Sequence, residues 1–112
     1  EMVTASGVAA RVVAGAVPVL DGARDLARAG AIAGGTARNF EWLADKVRWA
    51  PAVDEITRLL LADAQTSGGL LLAVPPAHAD LLEAVLAARG VAPVARIGEI
   101  LPRRDVPLVV DA

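Results

Sequence analysis

The chain has 112 residues with 11 Lys and Arg, 13 Asp and Glu, one His and no Cys, a formal charge of −2. That length builds one modest core. The lack of cysteine excludes a disulfide framework, a thiolate metal site and a cysteine nucleophile among these residues, and the mild acidity excludes the basic footprint of a nucleic-acid binder.

Hydrophobic residues make up 55% and aromatics 3%, so Ala, Val, Leu and Ile must form the interior. Mean hydropathy is +0.52, yet charges interrupt every apolar run well short of the roughly 18 residues that cross a bilayer. No basic segment leads into an apolar one in the manner of a secretory signal. Cytoplasmic residence without a membrane partner is the expectation.

Glu1 to Ala5 reads as the last turn of a helix, with Gly7 in the position that ends it. The chain is therefore expected to be a fragment. Val8 to Val13 is rich in β-branched residues and predicts a strand. Pro18 precedes a short strand-like Val19-Leu20, and Asp21 is expected to cap a helix to about Ala29, stopped by Gly30. Ala31 to Gly35 reads as a loop, with Thr36 as N-cap of a short helix through Phe40, Trp42 and Leu43.

Pro51 takes a first helical position and opens an amphipathic helix that buries Val53, Ile56, Leu59 and Leu60, with Asp54, Glu55 and Arg58 on the other face. Leu70 to Val74 is apolar at every position, the mark of a strand covered on both faces. Pro75-Pro76 ends it and starts a helix whose stripe is Leu81, Leu82, Val85 and Leu86 and whose stop is Gly90. Val94 to Leu101 predicts a strand in which Gly98 marks a bulge or a close backbone approach. After a turn at Pro102 to Asp105, Val106 to Val110 pairs back as a final strand. The segment after residue 69 is thus expected to form a β-α-β-β unit within an α+β domain, a mixed β-sheet flanked by helices.

Between the amphipathic helix opened by Pro51 and the apolar run lies Asp63-Ala64-Gln65-Thr66-Ser67-Gly68-Gly69. Glycines let backbone N–H groups approach a ligand unobstructed, and successive N–H groups with neighbouring hydroxyls can form a concave anion site. The plainer alternative is a tight helix-to-strand connection whose glycines serve only positive φ and whose hydroxyls serve local turns. A second polar string, Gly34-Gly35-Thr36-Ala37-Arg38-Asn39, reads either as a loop and cap or as N–H groups at a helix start aimed at an anion.

Together these strings resemble the C-terminal domain of the selenophosphate synthetase (selenide, water dikinase) family, within the aminoimidazole ribonucleotide synthetase superfamily. The likeness rests on Asp-x-Gln-Thr-Ser-Gly-Gly before an apolar strand and Val-Pro, and on Gly-Gly-Thr-x-x-Asn at 34–39. It extends to Ser6-Gly7-Val8 leading to Val17-Pro18-Val19-Leu20 and to Arg96-Ile97-Gly98-Glu99-Ile100, in family order over nearly the whole chain. Ala64 departs from the usual Pro, which bears on loop stiffness more than chemistry. The resemblance implies a single domain, 1–112, belonging to a two-domain enzyme that makes selenophosphate from selenide, ATP and water with magnesium. It further implies that the catalytic residues and metal-binding aspartates lie in an N-terminal domain outside these residues, and that the intact enzyme is a homodimer.

On that basis no residue here is catalytic and none binds metal, and the fragment alone binds no cofactor and is expected to be inactive. Asp63, Gln65, Thr66, Ser67, Gly68 and Gly69 would form a substrate- or phosphate-side loop in the interdomain cleft, with Gly35, Thr36 and Asn39 as further cleft residues. Another ATP-dependent superfamily member and a freestanding binding or assembly module are the alternatives. His78, Arg103 and Arg104 read as surface, and Phe40, Trp42 and Trp49 as packing or interface anchors. No hydrolytic triad and no Walker-type phosphate loop can be assembled.

Overall fold

The computed structural model describes residues 1–112. Four strands form one mixed sheet: β1 (Ala9–Val13), β2 (Val47–Trp49), β3 (Gly98–Leu101) and β4 (Leu108–Asp111), in the order β2-β4-β1-β3. β1 pairs antiparallel with β3, with Ala10 opposite Ile100 and Val12 opposite Gly98. β4 runs parallel to both of its neighbours, setting Leu108 opposite Ala10 and Val47, and Val110 opposite Val12 and Trp49. Five helices complete the fold: α1 (Met2–Ala5), α2 (Ala23–Arg28), α3 (Gly34–Trp42), α4 (Glu55–Leu61) and α5 (Pro76–Ala88). The α+β class with a mixed sheet is as the sequence predicts.

The core is small. Ala14, Val47, Val53 and Val110 are buried together, with Val12, Leu43, Trp49, Ala50, Leu61 and Leu108 packed partly against them. Trp49 meets Phe40 with ring centroids 6.3 Å apart and lies under the Arg58 guanidinium at 5.8 Å, an anchoring role that agrees with its expected use. Arg58 also donates from Nε to the Val53 carbonyl at 2.8 Å, so it is half-buried rather than facing solvent. Trp42, by contrast, is 52% exposed and carries the Lys46 ammonium 4.4 Å from its ring centroid.

Several local expectations need correction. Val19-Leu20 is not a strand, and Leu20 is 85% exposed. α2 is capped by Gly22 at φ 79 rather than by Asp21. No side chain caps α2 by a hydrogen bond, and the left-handed backbone at its start is one that glycine adopts readily. Pro51 lies in a turn, and α4 begins only at Glu55, because the Asp54 carboxylate accepts from Thr57 N–H at 2.7 Å and makes the better cap. The face of α4 that is fully buried carries Thr57, while Ile56, Leu59 and Leu60 are half-buried. β2 was not foreseen, since three residues after a helix give too short a pattern to read.

The larger correction concerns residues 70–96. Leu70 to Val74 forms no strand, and Leu70 is 91% exposed. α5 starts at Pro76 and its last turn is closed by Gly90 at φ 72, as expected, but it buries no residue. β3 and β4 do not pair with each other, since β1 lies between them. The β-α-β-β unit is therefore absent. An apolar run shows what a segment is able to bury, whereas the partner that buries it is set by long-range placement. Gly98 does mark a close approach: a β-carbon there would lie 1.9 Å from the Arg11 carbonyl oxygen.

Candidate functional site

The two polar strings meet. Thr36 is not the cap of α3; that place belongs to Ala33, and Thr36 lies inside the first turn, 1% exposed. The helix starts early because Gly34 and Gly35 follow a cap residue with extended backbone. This rotation turns the Thr36 hydroxyl inward, where it donates to Asp63 Oδ1 at 2.5 Å and accepts from Ala64 N–H at 3.3 Å. One turn further on, Asn39 donates from Nδ2 to the Ala62 carbonyl at 3.0 Å. That carbonyl lies at the C-terminal end of α4, where backbone acceptors lack helical partners.

Gly35 completes the clamp. A β-carbon there would come within 2.8 Å of the Ala64 β-carbon, so glycine permits the close approach of α3 to the loop. Gly35, Thr36 and Asn39 thus share one task, which is to fasten the exit of α4 and the root of the 63–69 loop to the start of α3. The Asp63 carboxylate accepts from the Thr36 hydroxyl at the root of the loop.

Beyond that root the loop is open. Gln65, Thr66, Ser67, Gly68 and Gly69 are all exposed. Neither Gly68 nor Gly69 has a positive φ, so these glycines do not serve a left-handed turn. A β-carbon at Gly68 would meet the Gln65 amide oxygen at 2.7 Å, the end of a flexible side chain, and one at Gly69 would meet nothing within 4 Å. The fold itself does not call for glycine at position 69. What glycine supplies there is bare backbone facing outward.

One residue near the site escaped the sequence reading. The Arg38 guanidinium reaches back toward the helix start, with Nη1 3.7 Å from the place a Gly34 β-carbon would take. Its signal was available: Arg38 stands four residues after Gly34, on the same helical face. The first-turn N–H groups, the positive end of the helix dipole and this cation share one polarity. Asp54, which fixes the start of α4, has its carboxyl held below the usual carboxylate range by hydrogen bonds from the Thr57 backbone and side chain, with Arg24 adding to the effect. Arg24 also donates to Thr57 Oγ1 at 2.8 Å, tying α2 to α4.

His78 lies apart from this cluster, on a shallow groove with Val74, Pro75, Leu81, Leu82 and Val85. Arg103 and Arg104 are exposed. No three His, Cys, Asp or Glu side chains converge in a way that could hold a metal ion. No helix is long and apolar enough to cross a membrane.

The family model described as AIR synthase related protein, C-terminal domain, matches residues 1–111. Among curated proteins, the selenide, water dikinase of Pelobacter propionicus is 40% identical over 111 residues, covering 99% of this chain and 32% of that protein. The selenide, water dikinase of Pseudomonas aeruginosa is 40% identical over 110 residues, 98% of this chain and 31% of that protein. That of Escherichia coli is 42% identical over 104 residues, 93% and 29%. The chain spans about a third of the length of the curated relatives it matches.

Proposed function

The chain belongs to the AIR synthase related protein, C-terminal domain family, and from that premise we propose that it is the C-terminal, substrate-side domain of a selenide, water dikinase. The whole enzyme would make selenophosphate from selenide, ATP and water in the cytoplasm, as a homodimer. A preceding domain, outside these residues, would supply the nucleophile and the magnesium ligands. Magnesium held there would neutralise phosphate charge. Phosphoryl transfer depends on positioning and on charge neutralisation, and this chain would contribute positioning.

The observation that supports the reading is the loop at 65–69, fastened at its root by Thr36 and Asn39 and bare beyond it. Thr66 and Ser67 would donate hydroxyl hydrogen bonds to a polar group in the interdomain cleft. Gly68 and Gly69 would offer backbone N–H groups, and Gln65 an amide. Arg38 and the start of α3 would add positive potential at one side. Because the nucleophile and the magnesium ligands would lie in the preceding domain, the 112-residue chain alone should not turn over ATP or form selenophosphate.

The test is Thr66→Ala and Gly69→Val in the full-length enzyme. Each should lower kcat by roughly a hundredfold or more, the scale of one lost preorganised donor, while the melting temperature stays within about 2 °C of the parent. A variant that melts out while its folded fraction keeps full activity would make the loop structural. Turnover by the 112-residue chain comparable to the intact enzyme would overturn the division of labour.

A further inference from the structure

Three half-buried side chains, Phe40, Trp49 and Arg58, join the two helices that carry the candidate site. Phe40 on α3 meets the Trp49 ring of β2 at a centroid distance of 6.3 Å, with the planes tilted by 40°. The Arg58 guanidinium of α4 lies 5.8 Å from the centre of the same indole. Trp49 therefore touches both helices.

Arg58 is bonded to backbone and not to a carboxylate. Its Nε donates to the Val53 carbonyl at 2.8 Å and its Nη2 to the Ala50 carbonyl at 3.5 Å, across the turn that carries β2 into α4. Arg11, Arg24, Arg28, Lys46 and Arg96, by contrast, each hold an acidic side chain. What Arg58 supplies is a planar fork stacked on an indole and bonded to two carbonyls, a geometry that a lysine ammonium does not reproduce.

The place of this link matters because the same helices are joined a second time. Thr36 and Asn39 on α3 hold Asp63, Ala64 and the Ala62 carbonyl at the end of α4. Phe40 comes four residues after Thr36, and Arg58 four residues before Ala62. On each helix the two attachments therefore share one face, about 6 Å apart. One attachment alone leaves α4 able to tilt about its end, whereas two fix the angle between the helices. The loop at 65–69 begins just beyond the attached end, so its direction follows that angle. We propose that Arg58, acting through Trp49 and Phe40, is a positioning residue for the 65–69 loop. Its part in turnover rests on the function proposed above; its hold on the loop does not.

Arg58→Met tests it, since methionine keeps an unbranched apolar stem and removes the fork. In amide-resolved NMR spectra of the 112-residue chain, the signals of Gln65 to Gly69 should shift or broaden, while those of Val12 and Val110 stay in place and show that the sheet is intact. Where Arg58→Met fails to fold, Arg58→Lys, which keeps the charge but not the fork, gives the same reading from the same amides. In the full-length enzyme Arg58→Met should lower kcat by at least about tenfold, since a misplacement of about 1 Å can cost up to about a hundredfold. The loss should be distinctly smaller on the Thr66→Ala background, as for residues that act through one loop. Loop amides that keep their parent positions overturn the proposal, whatever happens to the melting temperature. So does an Arg58→Met loss that multiplies fully with that of Thr66→Ala. If Thr66→Ala itself leaves kcat unchanged, the proposed function falls, and the loop amides alone decide for or against Arg58.

Discussion

Replacing Thr36 by Val tests whether one buried hydroxyl fastens the candidate loop. The side chain is 1% exposed, donates to Asp63 Oδ1 at 2.5 Å and accepts from Ala64 N–H at 3.3 Å. Valine keeps the shape and removes both bonds. A hydrogen bond to a charged group contributes about 1.5–3 kcal/mol. Asp63 is exposed and can take water in exchange, which places the loss in the lower half of that range, about 1.5–2 kcal/mol. With an unfolding entropy of about 2.1 cal/mol/K per residue, the melting temperature should fall by about 6–8 °C. Scanning calorimetry on wild type, Thr36→Val, Asp63→Ala and the double variant measures this directly. The double variant should be less destabilised than the sum of the singles, by about 1 kcal/mol. Thr36→Ser, which keeps the hydroxyl and drops a methyl group, should fall less than Thr36→Val. A Thr36→Val shift below about 2 °C, or strictly additive singles, would refute the clamp.

Other expectations follow from the same structure. Gly98→Ala drives a β-carbon to within 1.9 Å of the Arg11 carbonyl oxygen, so urea unfolding should show a loss of about 3 kcal/mol or more from overpacking; an unchanged midpoint would mean that β1 and β3 are not so closely paired. Gly35→Ala should destabilise through its contact with Ala64 despite the better helix propensity of alanine, and adding Ala64→Gly should restore stability; failure of that rescue would remove Gly35 from the clamp. The Asp54 carboxyl is depressed in the folded state by its hydrogen bonds from Thr57, so its contribution is present above the unfolded value near about pH 4 and is lost as pH falls through the lower folded value. Melting curves between about pH 5 and pH 2 should therefore fall more steeply for wild type than for Asp54→Asn, which still caps the helix but does not titrate there; parallel curves would deny Asp54 that role.

The parts of the fold legible in the sequence are those governed by near neighbours. The start of α5 at Pro76, its stop at Gly90 and the tight backbone approach at Gly98 each follow from one residue's steric properties. What escaped depends on partners far along the chain. Thr36 resembles an N-cap to any local reading, and only Asp63, 27 residues away, explains why its hydroxyl turns inward. Leu70 to Val74 carries the composition of a two-sided strand, but composition does not supply the sheet neighbours, and no strand pairs with it here. β2 is held by pairing to β4, almost at the other end of the chain. The site divides in the same way: the Gly-Gly-Thr-x-x-Asn and Asp-x-Gln-Thr-Ser-Gly-Gly strings stand out at once, whereas their mutual attachment, and Arg38 beside them, emerge only in three dimensions.

The place of β4 has a consequence for biosynthesis. Residues 108–111 occupy the middle of the sheet and join the strand formed near residue 10 to the one formed near residue 48. A chain emerging at about 5–20 residues per second therefore exposes β1 and β2 well before the element that unites them has been translated. Helices with local contacts can form on the way, but the central pairing spans nearly the full sequence and must wait, the arrangement that slows folding most. A ribosome that stalled before residue 108 would leave the strand at 47–49 without its sheet neighbour, so the codons for residues 108–111 decide whether that strand joins the β1–β3 pair.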